Sequence, residues 1–380
     1  MASPAKERIL HAAEQLRRAP AGGRRALIGF DGFVDEIADV VRTRYSPDRY
    51  ERIETIAEFA ERIAGAAGLS TNIEYVPTQI KIGGNGPIMA NALAALGIDV
   101  LYVGSVGDGE VHPVFRGFAS ACRVVPVAVP GHTIACEFRD GKVMLGRTQS
   151  LAAVTWERIL ASLPLERLRE ELLGCSLFAA VNWTMLPHMT EVWHGILTQA
   201  LTPPPPEPGP LAFFDLADPA KRSRAELLEA VRAIVSFGKV ARPILGLNRK
   251  EATEVADALG LEVQGDNRTA SLAAITQALG EALDVYAVVV HPTQEAAVYS
   301  SVGLSVIEGP YTSRPRLTTG AGDNFNAGFC LGQVLGMDPE ASLILGKGVS
   351  GFYVRNGRSP SRDELIEFLT LWAERCGEEF

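Results

Sequence analysis

The stretch Leu317-Thr318-Thr319-Gly320-Ala321-Gly322-Asp323-Asn324-Phe325-Asn326-Ala327-Gly328-Phe329 sets small residues directly ahead of an apolar helical pattern. Glycine lets the backbone N–H groups of Ala321, Gly322 and Asp323 approach an anion closely. The start of a helix adds roughly half a positive charge at that point. An aspartate closing such a nest repels phosphate, which makes it a poor choice for binding alone. It suits a general base that takes a hydroxyl proton while the nest stabilises a transferring phosphoryl group. The same residues also read as a Gly-rich turn with Asp323 as a helix cap.

Upstream, short apolar runs rich in β-branched residues recur at 26–30, 100–104, 177–181, 211–215, 244–247 and 285–290. Continuous rather than alternating hydrophobicity suits strands buried on both faces. Segments with helical spacing, such as 222–236 and 251–259, lie between them. Strand and helix in alternation predict a doubly wound α/β sheet, whose ligands bind beyond the carboxyl ends of the strands. Three segments break the rhythm: 32–45, 72–82 and 132–149. The second alternates as a strand with one solvated face, and the third holds the turn Arg139-Asp140-Gly141-Lys142. Together they predict a small antiparallel sheet projecting from the main layer.

With 380 residues, 47% of them hydrophobic, the chain can bury a sizeable core without staples. Its formal charge of −9 gives nothing to counterion release, so nucleic acid is not an expected partner. Five scattered cysteines, none in a C-x-x-C pair, imply neither a disulfide framework nor a zinc knuckle. No apolar run approaches the ~18 residues that cross a bilayer, and residues 1–25 hold no apolar signal core. A cytoplasmic chain without a membrane partner is expected, in which the Asn-x-Thr triplets at Asn182 and Asn267 carry no glycan. The 37 glycines are a tenth of the chain, above the usual ~7%, so their placement matters.

Residues 318–329 resemble the C-terminal signature of the ribokinase-like (PfkB) carbohydrate kinases, D-T-x-G-A-G-D-x-F-x-A-G. Ile82-Gly83-Gly84-Asn85-Gly86-Pro87 resembles the N-terminal di-glycine signature of that family. Gly29-Phe30-Asp31-Gly32-Phe33-Val34-Asp35 resembles the end of its first strand, and Asn248-Arg249-Lys250-Glu251 its N-x-x-E motif. The resemblance spans nearly the whole chain. It implies a ribokinase-like fold over 24–380, a mainly parallel sheet flanked by helices, with a small β-sheet lid from 32–45, 72–82 and 132–149. Residues 1–23 would be an N-terminal helical extension.

The resemblance further implies transfer of the ATP γ-phosphate to a hydroxyl of a sugar or sugar-like molecule. Asp323 would be the base, with Gly320, Ala321 and Gly322 as the anion hole. Asn248, Thr318, Thr319 and Gly322 would meet the nucleotide, and Glu251 with Asn248 would orient water around Mg²⁺. Asn248 and Glu251 read equally as a capping box. Asp31, Asp35, Gly83, Gly84, Asn85 and Asn182 would meet the acceptor. For these the alternatives are turn aspartates, simple helix–strand packing and a turn asparagine. Lys81 and Arg147, on lid strands, would either meet an anionic group or be solvated. A homodimer is expected by analogy with relatives that pair through the lid.

The chain departs from the family at several points. Leu317 stands where relatives carry an acid belonging to a monovalent-cation site, which counts against a potassium requirement. Ile88 stands where the di-glycine motif carries asparagine. The loop after the strand near the nucleotide reads His291-Pro292-Thr293-Gln294-Glu295 instead of a glycine-containing segment. Arg222 is expected to begin a solvated helix. Other readings are a nucleoside or small-alcohol kinase of the same fold, and a non-catalytic ligand-binding member. A nicotinamide enzyme has only the G-x-G-x-x-G at Gly346, Gly348 and Gly351, inside a helical pattern without a βαβ unit. No P-loop G-K-[ST] or H-E-x-x-H is present.

Overall fold

The computed structural model describes residues 4–20, 22–263 and 270–380. Asn267 and parts of the 1–23 segment lie outside the described residues. In chain order the first strands are β1 (Arg25–Phe30), β2 (Phe33–Ser46), β3 (Arg49–Arg52), β4 (Tyr75–Gly83) and β5 (Asp99–Gly104). A two-residue pair follows, β6 (Gly107–Asp108) and β7 (Glu110–Val111), then β8 (Arg123–Pro126), β9 (Gly131–Phe138) and β10 (Gly141–Arg147). The remaining strands are β11 (Leu177–Ala180), β12 (Leu211–Asp215), β13 (Arg242–Leu247), β14 (Ala287–Val290), β15 (Glu295–Ser300) and β16 (Gly303–Glu308).

Nine of these form one sheet in the order β16-β15-β14-β13-β12-β11-β1-β5-β8. From β8 to β14 every pairing is parallel; β15 and β16 close the edge as an antiparallel meander. The apolar runs are continuous because helices cover both faces. In β12, Leu211 and Phe213 enter one apolar core while Ala212 and Phe214 enter the other. Strand order reverses between β1 and β11, and a crevice at such a switch point is where doubly wound sheets bind ligands.

The smaller sheet is built on β2. Its first half lies between β4, antiparallel, and β9, parallel; its second half pairs with β3, and β10 pairs with β9. Mixed pairing, rather than the purely antiparallel sheet expected, follows because β2 and β9 each leave the main body from the same end. A small core of Val40, Ile53, Phe59, Cys136 and Phe138 holds the helix Ile56–Ala64 against it, with Phe59 and Phe138 stacked at 5.5 Å.

The N-terminal helix Pro4–Arg18 buries Ile9, Ala12, Ala13 and Leu16 in the same core as Trp372. Arg362 donates to the carbonyls of Leu16, Ala19 and Pro20, groups the helix end leaves unpaired. Arg222 does not begin a solvated helix. The helix starts at Arg224 behind the Ser223–Glu226 capping box, and the Arg222 guanidinium lies 4.1 Å from the Trp183 ring. The G-x-G-x-x-G glycines lie within the helix Pro339–Asn356 and serve packing. A Cβ at Gly346, Gly348 or Gly351 would sit 2.8, 2.7 or 2.5 Å from Phe325, Leu369 or Pro310. Among the described residues no helix is long and apolar enough to cross a membrane.

Candidate active site

The parallel strands deliver their polar residues to one edge. Asp31 follows β1, Asn182 follows β11, Asp215 ends β12, Asn248 follows β13 and His291 follows β14. Opposite them the helix Ala321–Val334 begins, with Gly320 at its N-cap in the left-handed region, φ 91°. A Cβ at Gly320 would meet the Tyr353 hydroxyl at 2.9 Å and Ile88 at 3.2 Å, so glycine is needed for conformation and for space. Asp323 is the third residue of that helix and is buried. The amides of Gly322 and Asp323 belong to the first turn, which no helix carbonyl reaches. The Ala321 amide donates to the Thr318 carbonyl at 3.1 Å.

Two cavities meet at Asp323. One, of about 400 Å³, is lined by Asn248, Glu251, Asp215, His291, Thr318, Ala321, Gly322 and Lys347, among others. The other, of about 350 Å³, lies under the small sheet and is lined by Asp35, Gly84, Thr133, Asn182, Asp218, Thr319 and Gly320, among others. Asn85, Glu251 and Asp323 line both. The structure therefore brings most of the sequence-read residues around one point. Asp31 and Gly83 line neither cavity.

Asp31 lies behind the site. Its carboxylate accepts from the Asn85 and Gly86 amides at 2.9 and 2.8 Å and from Asn182 Nδ2 at 2.6 Å. Gly83 allows the chain to pass Asp35, whose carboxyl carbon would be 2.3 Å from a Cβ there. At Gly84, φ 96°, a Cβ would be 2.8 Å from Asp31 Oδ2. Burial raises Asp31 to about 6 against its three donors. Burial raises Asp35 too, with Lys81 and the Thr133 hydrogen bond opposing. Arg147 is exposed.

Asn248 and Glu251 form a complete capping box: the Asn248 side chain accepts from the Glu251 amide, and Glu251 accepts from the Asn248 amide at 2.8 Å. Glu251 also takes Asn248 Nδ2 at 2.6 Å and the Asp218 amide at 3.1 Å. Ala217 and Asp218 both have positive φ, 52° and 62°, which aims that amide at Glu251. Burial, then the charge of Asp215, raises Glu251 to about 8. Asp215 is itself raised by burial to about 6, with Asn326 Nδ2 donating to it at 2.9 Å. Burial and the neighbouring Asp215 and Asp31 push Asp323 well above the usual carboxylate range, with an Asn85 side-chain hydrogen bond opposing.

Three participants carried no motif. Lys142, on β10, donates to the Thr319 hydroxyl, so the small sheet touches the glycine loop through a cation; its place in a hairpin turn gave no hint of this. Lys347 and His291 flank Phe325, with the His291 and Phe325 rings 4.5 Å apart. Burial pushes His291 down to about 3, so it stays neutral in the folded protein. Unfolded histidine titrates near 6.5. Its stabilising share is therefore complete above that pH and is lost as the pH falls toward 3. Acidification from pH 6.5 to 5 should cost the wild type about 2 kcal/mol more than His291→Gln, at about 1.4 kcal/mol per pH unit for one proton. Urea unfolding at the two pH values measures it; equal losses would show that His291 gains its proton when folded.

A cavity at a helix N-terminus, a second under a small sheet, and a buried carboxylate between them suit an enzyme that transfers a group from one bound ligand to another. Comparison with known proteins agrees. Residues 3–372 match the family described as prokaryotic ketohexokinase. The ketohexokinase of Haloferax volcanii is 32% identical over 348 residues, 91% of each chain. A carbohydrate kinase from Agrobacterium tumefaciens superposes with TM-score 0.62 at 16% identity, covering 93% of this chain and 97% of that one. A fructokinase from Xylella fastidiosa, solved with bound ATP, gives TM-score 0.62 at 15% identity, covering 92% and 99%. The chain belongs to the prokaryotic ketohexokinase family, and it is a sugar kinase.

Proposed function

We propose that the chain transfers the γ-phosphate of Mg·ATP to a hydroxyl of a ketohexose, with Asp323 as the base. The observation that carries this is the position of Asp323 on both cavities, where one carboxylate can face an acceptor hydroxyl and a phosphate at once. The Haloferax relative is described as a ketohexokinase and the Xylella structure holds ATP, which favours this acceptor and this donor. The cavity at the helix N-terminus takes the nucleotide, where first-turn amides and the helix dipole favour phosphate. The cavity under the small sheet takes the sugar, with Asp35 and the unpartnered Oδ1 of Asn182 accepting from its hydroxyls. The small sheet of β2, β3, β4, β9 and β10 acts as a lid over that cavity, excluding water from the transfer.

Asp215 and Glu251 fit a hard divalent ion, because two buried, mutually repelling carboxylates beside a phosphate site gain from its charge. Glu251 already accepts three hydrogen bonds, so it would hold magnesium through water, with Asn248 fixing the carboxylate's orientation. Bound magnesium supplies charge neutralisation of the phosphates. In the transfer Asp323 takes the hydroxyl proton, the amides of Gly322 and Asp323 face the phosphoryl oxygens, and Lys142 adds a cation from the lid.

A coupled ADP-release assay over ketohexoses, aldohexoses, sugar acids and nucleosides tests the reading. Turnover is expected with a ketohexose; turnover confined to nucleosides would overturn it. Asp35→Ala should lower kcat/KM for the sugar about 10- to 100-fold, the worth of a hydrogen bond to a charged group. An unchanged kcat/KM would remove Asp35 from the acceptor contact.

A further inference from the structure

Lys347 is a buried lysine in the wall of the nucleotide cavity, and no motif accounts for it. Its ammonium donates to the carbonyls of Pro292 and Thr293 at 2.5 and 3.0 Å. Its nitrogen lies 5.7 Å from the centre of the Phe325 ring. No ion pair of Lys347 occurs among the described residues, and the charge that favours its ammonium form is that of Glu295. A buried cation without a paired carboxylate is expensive, and the two carbonyls use two of its three donors. One N–H is left for something in the cavity. Burial lowers the group to about 7, with Glu295 opposing, so it sits at its site against a desolvation cost.

The place of Lys347 along its helix says which part of a ligand it meets. The glycine-loop side of the helix Pro339–Asn356 is marked by Tyr353, whose hydroxyl donates to the Thr319 carbonyl, and by Val354, whose carbonyl takes the Arg316 amide. Lys347 lies six to seven residues earlier, about 10 Å along the axis at ~1.5 Å per residue. Beside it stand Pro292 and Thr293, whose carbonyls it holds, the Phe325 ring, and Gly309, where a Cβ would lie 2.7 Å from its side chain; none of these is charged. That is a setting for the flat, uncharged end of a nucleotide rather than for its phosphates.

We propose that Lys347 selects the donor by giving one hydrogen bond to a ring-nitrogen acceptor of the adenine base. This rests on the reading of that cavity as the ATP site. Adenine offers three such acceptors, N1, N3 and N7, and each is removed in turn in 1-deaza-, 3-deaza- and 7-deaza-ATP. Calorimetric titration of the full chain with ATP and the three analogues, without sugar, is the test. One analogue should bind about 10-fold or more weakly than ATP, and Lys347→Met should weaken ATP by a similar factor while no longer distinguishing that analogue. If the three analogues bind the wild type as ATP does, the assignment fails while the ATP site stands. If the variant still discriminates as the wild type does, Lys347 only pins the Pro292–Thr293 loop, and the assignment also fails. Absence of ATP binding to the wild type would instead overturn the proposed function. The wild-type titrations decide the first point even if Lys347→Met does not fold.

Discussion

Asp323→Asn is expected to lower kcat by about 10²–10⁴-fold, the usual contribution of a positioned general base. The asparagine is nearly isosteric and retains a polar partner for the Asn85 side chain, so the loss lies in proton acceptance rather than in shape. Stability should move the other way. Burial and the nearby Asp215 and Asp31 disfavour the charged carboxylate, and a neutral amide removes that repulsion. The variant should therefore melt at or above the wild-type temperature while turning over slowly. The raised pKa adds a second readout: the carboxyl must lose its proton to act, so wild-type kcat/KM should climb with pH, and that limb should flatten in the variant. Near-wild-type turnover would remove Asp323 from the chemistry.

The main sheet was legible because its strands are buried on both faces, which leaves uninterrupted apolar runs such as Leu211–Asp215. The glycine loop was legible because Gly320 must take a positive φ, at a place where a Cβ would also crowd the Tyr353 hydroxyl. Less of the small sheet could be read. Asn72-Ile73-Glu74 precede β4 rather than belonging to it, and β3 is a four-residue strand whose charged residues carry no hydrophobic period. The parallel β2–β9 pairing is a long-range choice that no local signal encodes.

Among the site residues, sequence could not separate two roles available to one residue type. Asn248 and Glu251 form the capping box and also line the cavity, so the two readings are compatible. Asp31 and Asp35 are four positions apart, yet one caps a helix and the other lines the cavity under the small sheet. Lys142 and Lys347 were invisible as site residues because a single lysine has no pattern; only tertiary contacts with Thr319, Pro292 and Thr293 single them out.

Asp31→Asn gives the second large effect, and it separates helix capping from substrate contact. The helix Asn85–Ala95 begins at Gly84, which has no side chain to cap it. Asp31, 54 positions earlier than Asn85, supplies the acceptors instead. Its Oδ1 takes the Gly86 amide, and its Oδ2 takes both the Asn85 amide and Asn182 Nδ2. An asparagine in either orientation turns an NH₂ toward at least one of these donors. One or two charge-assisted hydrogen bonds are lost, together with a negative charge at a helix N-terminus, about 3 kcal/mol in all. Unfolding entropy near 2.1 cal/mol/K per residue converts this to a fall in Tm of about 4 °C for a chain of this length. The comparison belongs at pH 8, above the value of about 6 to which burial raises Asp31, where the wild-type carboxylate is charged. Acceptor KM should change less than it does in Asp35→Ala, because Asp31 lines neither cavity. An unchanged Tm with a KM raised 100-fold would instead make Asp31 a substrate ligand.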